Sequence, residues 1–321
     1  MSSKRALILG SAGQDGRLLT AFLSSQNYRV IGVERTRVTG FDDRRPAVSL
    51  THRPAMLALM REAAPDEIYY LAAHHHSSSD APDDQVAIHA ASHAVHCDGL
   101  SNVLDAMAEC APRARLFYAS SCMVFGDPAK APQSEVTPRA PLSAYAQTKA
   151  EGMEIVHQAR KQRDLFCASG ILYNHESLLR DERFVIPKIV KGAVNVKLGV
   201  DKMLVLGDLR ARADWGAAED FVRAMHAMLQ IEAPQDFVIG TGKLHSVGEA
   251  AELALKTLGI DPVSCLRTDP SILRRPPPAV PYQADIRAIE KATGWTPMIS
   301  FERMVRTFIE AERSTRSYQA A

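Results

Sequence analysis

A chain of 321 residues that is 46% hydrophobic and 23% charged can bury a large core, and at about 150 residues per domain it has room for two. With 38 basic and 37 acidic side chains the formal net charge is +1, so no global field draws it to a nucleic acid or to a basic partner. Apolar runs such as Ala6–Leu9 are too short to span a bilayer, Met1-Ser2-Ser3-Lys4-Arg5 lacks a signal-peptide layout, and the five cysteines include no C-x-x-C pair, so a cytoplasmic protein without membrane, disulfide framework or metal site is expected.

Up to Leu172, five short apolar runs read as strands: Arg5–Leu9, Tyr28–Val33, Glu67–Leu71, Arg115–Ala119 and Leu165–Leu172. Between them, residues 16–26, 54–63, 90–108 and 144–160 carry apolar side chains at three- and four-residue spacing and read as helices. That alternation predicts an α/β fold built on a doubly wound parallel sheet. Beyond Tyr173 the segments are polar and proline-containing, with helices predicted over 215–230, 246–258, 284–293 and 301–312. Pro276-Pro277-Pro278, after Arg274 and Arg275, marks a rigid loop. His74, His75 and His76 follow the third strand; an imidazole there suits acid–base work, while a surface loop is the plainer reading. Adjacent side chains of an extended segment alternate sides, which argues against a shared metal ion.

Gly10-Ser11-Ala12-Gly13-Gln14-Asp15-Gly16 joins the first strand to the first helix. Glycines at that spacing let backbone approach a pyrophosphate and aim helix amides at it, although any tight turn could use them. Glu34 closes the second strand, where a carboxylate accepts the adenosine ribose hydroxyls of NAD. Arg35 and Arg37 follow and would suit the 2′-phosphate of NADP; both cofactors stay open, with the balance towards NAD.

Tyr145 and Lys149 lie four residues apart, on one helix face. An ammonium beside a phenol is expected to lower its pKa and fit it for proton exchange with a sugar hydroxyl or carbonyl. Ser120 and Ser121 end the strand before it, where such a sheet presents catalytic loops. Together with the glycine turn, this order of residues points to hydride transfer, although a Y-x-x-x-K pair alone is common on exposed helices.

With these residues in place, the chain resembles the extended short-chain dehydrogenase/reductases of the nucleotide-sugar epimerase and dehydratase group, most of all the GDP-mannose 4,6-dehydratase family. Matching phrases run from Gly13-Gln14-Asp15-Gly16 through Leu172-Tyr173-Asn174-His175-Glu176-Ser177 and Asp214-Trp215-Gly216 to Gly294-Trp295-Thr296-Pro297. The resemblance implies a Rossmann-like NAD(P) domain over 1–172 and a smaller mixed α/β substrate lobe over 173–321, with segments near 213–243 and 283–294 returning to the first domain. It also implies a GDP-linked hexose as substrate and a homodimer or homotetramer. Gly10, Gly13, Gln14, Asp15, Gly16 and Leu71-Ala72-Ala73 would line the cofactor. Tyr145 and Lys149 would be the catalytic pair with Ser121 as the hydroxyl residue, and Asn174, Arg183 and Arg274 would contact the substrate.

The departures bear on the reaction. Where the family carries the glutamate that takes the C5 proton, the loop Ser120-Ser121-Cys122-Met123-Val124-Phe125-Gly126 has Met123, and a thioether accepts no proton at neutral pH. Ser49 replaces an adenine-binding aspartate and Ala213 an arginine. Cys122 could act as a base if its pKa were lowered, or be a small packed residue. The expectation is hydride transfer at C4 without elimination, as an epimerase or a 4-keto reductase. A 4,6-dehydratase using another base, or a non-catalytic nucleotide-sugar sensor, are the alternatives.

Overall fold

Strands buried on both faces of a parallel sheet must be apolar at nearly every position. β1 (Arg5–Leu9) and β2 (Arg29–Val33) obey this rule in their C-terminal residues. The computed structural model describes residues 3–43, 45–74, 85–272 and 278–319. After β3 (Arg37–Thr39) and β4 (Arg45–Pro46) come β5 (Glu67–Tyr70), β6 (Arg115–Ser121), β7 (Phe166–Leu172) and β8 (Asn174–Glu176). The later strands are β9 (Leu204–Leu206), β10 (Arg212–Ala217), β11 (Phe237–Ile239), β12 (Leu244–Ser246) and β13 (Leu266–Thr268), of which β12 and β10 join β8 in a smaller three-stranded sheet and β9 pairs with β13. An eight-stranded sheet runs β11-β7-β6-β5-β1-β2-β3-β4, parallel except at the β2-β3-β4 edge. Strand order reverses between β1 and β5, so the loops after β1, β5, β6 and β7 share the carboxyl edge where such sheets bind ligands.

The helices are α1 (Gln14–Ser25), α2 (Arg53–Ala63), α3 (Gln85–His93), α4 (Gly99–Cys110), α5 (Ala144–Arg163), α6 (Val185–Lys197), α7 (Ala218–Met228), α8 (Val247–Thr257), α9 (Pro262–Cys265), α10 (Arg287–Thr293) and α11 (Phe301–Gln319). On α5, the Ser143 hydroxyl accepts from Ala146 N, and Arg160, Lys161 and Arg163 oppose the dipole in its last turn. Beside the main core a second one gathers Ile189, Trp215, Leu255 and Phe308 from α6, β10, α8 and α11.

Three expectations are corrected. The helix expected over 215–230 starts only at Ala218, because Trp215-Gly216-Ala217 pairs with Asn174-His175-Glu176 and is buried as a strand. The single helix expected over 90–108 is broken by a π-helical turn, Ala94–Asp98. Helix α6 forms in a stretch where irregular segments were expected: Pro187 marks a breaker by composition, yet it sits in the first turn, where no N–H is needed.

Candidate active site

Gly10, the residue after β1, has φ +97°, a region that L side chains avoid, and its N–H donates to Val33 O at 2.9 Å. A Cβ on Gly10 would lie 2.8 Å from Ala72 N, and one on Gly16 would lie 2.3 Å from Gly10 O. The turn therefore packs against Leu71 and Ala72, and Gly13 opens α1 with no side chain capping its first-turn amides. Backbone this close, with uncapped helix amides, is the shape that a dinucleotide pyrophosphate requires. At the end of β2, Glu34 accepts from Arg37 Nε at 2.9 Å, while Arg35 is exposed. Carboxylate and guanidinium hold each other there, so a ribose hydroxyl and a 2′-phosphate would compete for different halves of one ion pair. Ser49 is exposed and bonded to Thr51 Oγ1 at 2.9 Å.

Tyr145 and Lys149 face the end of β6 from α5. Lys149 is 1% exposed, its Nζ donates to Ala119 O at 2.7 Å, and it stands 5.8 Å from the Tyr145 ring centre. The expectation that Lys149 lowers the tyrosine pKa is corrected. Burial, and then Cys122, push the phenol up to about 12 against the opposing pull of Arg180 and a Ser121 hydrogen bond. Lys149 itself is pushed down to about 7 by burial. Ser121 Oγ also accepts from Met123 N at 3.3 Å, and the buried Ser120 hydroxyl has no partner among the described residues. Behind Tyr145, buried His96 meets Thr148 Oγ1 at 2.8 Å and packs its ring edge-on to the phenol, while His74 N donates to its Nε2 at 3.2 Å. His75 and His76 lie outside the described residues.

Cys122 does not meet the requirement for a base. It is 3% exposed, and burial followed by Asp214 pushes its thiol up to about 12. Met123 is half-buried in the 3₁₀ turn Cys122–Phe125.

The sequence reading missed a charged cluster that joins the glycine turn to β8. Asp15 accepts from His175 Nε2 at 3.0 Å; burial raises the carboxyl, but the imidazole outweighs it, so Asp15 is held low and His175 high. Gln14 Nε2 donates to His175 O at 3.2 Å and Ser177 Oγ donates to Gln14 Oε1 at 3.0 Å. Next to them Arg180 Nε lies 3.3 Å from the buried Glu176 Oε2 and the guanidinium stacks 3.5 Å from the Phe184 ring centre. Burial lifts Glu176 to about 7 against the pull of Arg180. No periodicity singles out Arg180 within Leu178-Leu179-Arg180-Asp181-Glu182-Arg183; only the fold brings it into the field of Tyr145.

Of the three substrate candidates, Asn174 is exposed at the start of β8. Arg183 is half-exposed and forks onto Asp181 at 2.9 and 3.3 Å. Arg274 lies outside the described residues. An open cleft of about 590 Å³ between α6 and α11 is lined by Arg180, Lys191 and Phe308 among others, and so shares Arg180 with the site.

The model of the GDP-mannose 4,6 dehydratase family matches residues 7–308. The chain is 32% identical to GDP-mannose 4,6 dehydratase of Drosophila melanogaster, covering 96% of this chain and 86% of that one. It is 34% identical to GDP-mannose 4,6-dehydratase of Vibrio cholerae, over 80% and 73%. Among solved structures, RMD from Pseudomonas aeruginosa complexed with NADPH superposes with a TM-score of 0.81 at 20% identity, over 97% of this chain and 100% of that one. UDP-glucose 4-epimerase of Thermotoga maritima with UDP-glucose superposes with a TM-score of 0.80 at 20% identity, over 97% and 99%. These two likenesses show the fold.

Proposed function

Because the chain belongs to the GDP-mannose 4,6 dehydratase family, and is thereby an NAD(P)-dependent enzyme of the nucleotide-sugar epimerase/dehydratase group, we propose that it acts at C4 of a GDP-linked hexose without eliminating water. One observation carries this reading: the loop Ser120–Phe125 offers no carboxylate, and its thiol is pushed away from the range of a base. When bound, the nicotinamide supplies the acceptor or donor of hydride at C4. Tyr145 exchanges the O4 proton, Ser121 aligns the sugar oxygen, and Lys149 holds the cofactor ribose. Gly10, Gly13, Gln14, Asp15, Gly16 and residues 71–73 hold the dinucleotide, with Glu34 or the Arg35 and Arg37 pair selecting NAD or NADP. A phenol that stays protonated is ready to donate, which is the proton step of ketone reduction; oxidation must first remove that proton. This favours the 4-keto reductase over the epimerase.

The second reading is the 4,6-dehydratase itself, favoured by 31–35% identity to proteins of that name. Incubation with GDP-mannose and with its 4-keto-6-deoxy derivative in heavy water separates the readings. Product from the 4-keto sugar alone, with stoichiometric consumption of reduced nicotinamide, is expected. Loss of water from GDP-mannose with deuterium at C6 would overturn the proposal and establish the dehydratase.

A further inference from the structure

Where α3 runs through the π-helical turn into α4 and packs on α5, three donors of different chemistry converge. Cys97 Sγ lies 3.5 Å from Glu151 Oε2, and His93 Nε2 lies 3.7 Å from the same oxygen. All three ligand atoms fall within 4.8 Å of one another. We propose that Cys97, His93 and Glu151 bind a zinc-class divalent ion.

The separations carry the argument. Bonds of about 2.0 Å from zinc to nitrogen or oxygen and about 2.3 Å to sulfur place the ligand atoms of a tetrahedron about 3.3–3.6 Å apart. The 3.5 Å between Cys97 Sγ and Glu151 Oε2 matches that spacing, and the 3.7 Å between His93 Nε2 and the same oxygen exceeds it by a few tenths of an ångström, within the reach of a rotation of the exposed imidazole. The other nitrogen of His93 is also suitably placed, since Nδ1 is 3.4 Å from Asp98 Oδ1, the outer carboxylate that orients a metal-bound imidazole through Nε2. A thiol and an imidazole select a borderline ion such as zinc over magnesium or calcium, which take oxygen donors. Cys97 is 3% exposed, whereas the side chains of His93 and Glu151 are 41% and 50% exposed. The ion enters from solvent and keeps water as its fourth ligand.

Binding replaces the thiol S–H bond by a metal–sulfur bond and releases that proton to solvent, so affinity falls as pH falls. Cys97 Sγ also lies 3.5 Å from Thr148 O, one residue before Lys149. The ion therefore ties the π-helical turn to the helix that carries Tyr145 and Lys149.

Cobalt(II) is the probe. Titrated into chelator-stripped protein, it gives one equivalent of a thiolate-to-cobalt charge-transfer band that zinc(II) bleaches stoichiometrically. Cys97→Ser removes the band, Glu151→Gln weakens binding at least tenfold with an unchanged metal-free circular dichroism spectrum, and Cys110→Ser keeps the band. Absence of the band, its survival in Cys97→Ser, or zinc affinity by calorimetry undiminished in His93→Ala would overturn the proposal.

Discussion

Tyr145 and Lys149 sit in opposite protonation predicaments: burial holds the phenol neutral and also resists the ammonium. Tyr145→Phe keeps the shape and removes the proton, so turnover is expected to fall about 10²- to 10⁴-fold with little change in melting temperature. Parent-like turnover with every substrate tried would remove Tyr145 from the chemistry. Lys149 costs stability. Its pKa is pushed from the ordinary 10.5 down to about 7, so between those values the unfolded chain holds a proton that the folded chain has shed. Stability from this group therefore rises with pH from about 7 to 10.5, and the penalty is largest below that window. Lys149→Met is expected to abolish turnover while stabilising the protein at pH 6 by about 1–4 kcal/mol, read by urea denaturation. A destabilised variant would refute the predicament. At the cofactor end, Glu34→Gln takes away an acceptor and releases Arg37. Losing one charge-assisted hydrogen bond is worth about 1.5 kcal/mol, so NAD should bind about tenfold more weakly and NADP no worse. Fluorescence titration with both nucleotides decides, and equal losses would place the adenosine ribose elsewhere.

At the scale of elements, apolar periodicity made the strands and most helices of the sheet legible because burial dictates it directly: β1, β2, β5, β6 and β7 lie within a few residues of the runs that predicted them. The π-helical turn was not legible, since the buried positions Ile88, Ser92, His96, Leu100, Val103 and Met107 keep an ordinary three- and four-residue spacing straight through it. Nor was Arg180, which follows β8 and is brought against Glu176 and into the field of Tyr145 only by the fold. The Asp214-Trp215-Gly216 phrase signalled a family, while its physical role emerges only in three dimensions. Asp214 is fully buried and accepts from Thr241 N at 2.9 Å, Thr241 Oγ1 at 2.5 Å, Gly242 N at 2.8 Å and Ala284 N at 3.1 Å. One carboxylate thus binds β10 to the turn after β11 and to the segment before α10. Asp214→Ala strands four donors, and a loss of about 3–5 kcal/mol is expected from the shift in urea midpoint. A loss below about 1 kcal/mol would mean that water replaces the carboxylate without cost.

Across the whole molecule, the glycine turn on the main sheet and β8 on the smaller one are stitched by Asp15, His175, Gln14 and Ser177, with the His175 ring stacked 4.5 Å from Phe221. The charged part of that stitch titrates. Asp15 is held below the ordinary 3.8, so its contribution is complete above that value and is lost as pH falls through the lower folded value. His175 is held above the ordinary 6.5, so its contribution is complete below 6.5 and is lost as pH rises through the higher folded value. The pair is fully expressed between 3.8 and 6.5 and fades on the alkaline side. His175→Gln keeps a donor but gives up the charge. At pH 6 it should lower stability by about 1.5–3 kcal/mol, the worth of a hydrogen bond between charged groups, and the gap to the parent should close as pH is raised to 9. Because the same stitch holds the turn proposed to carry the pyrophosphate, NAD(P) affinity in the parent should fall over the same alkaline interval and stay flat in the variant. Melting curves and nucleotide titrations at matched ionic strength test both, and a gap that stays constant from pH 6 to 9 would show that His175 acts by packing on Phe221 and not by charge.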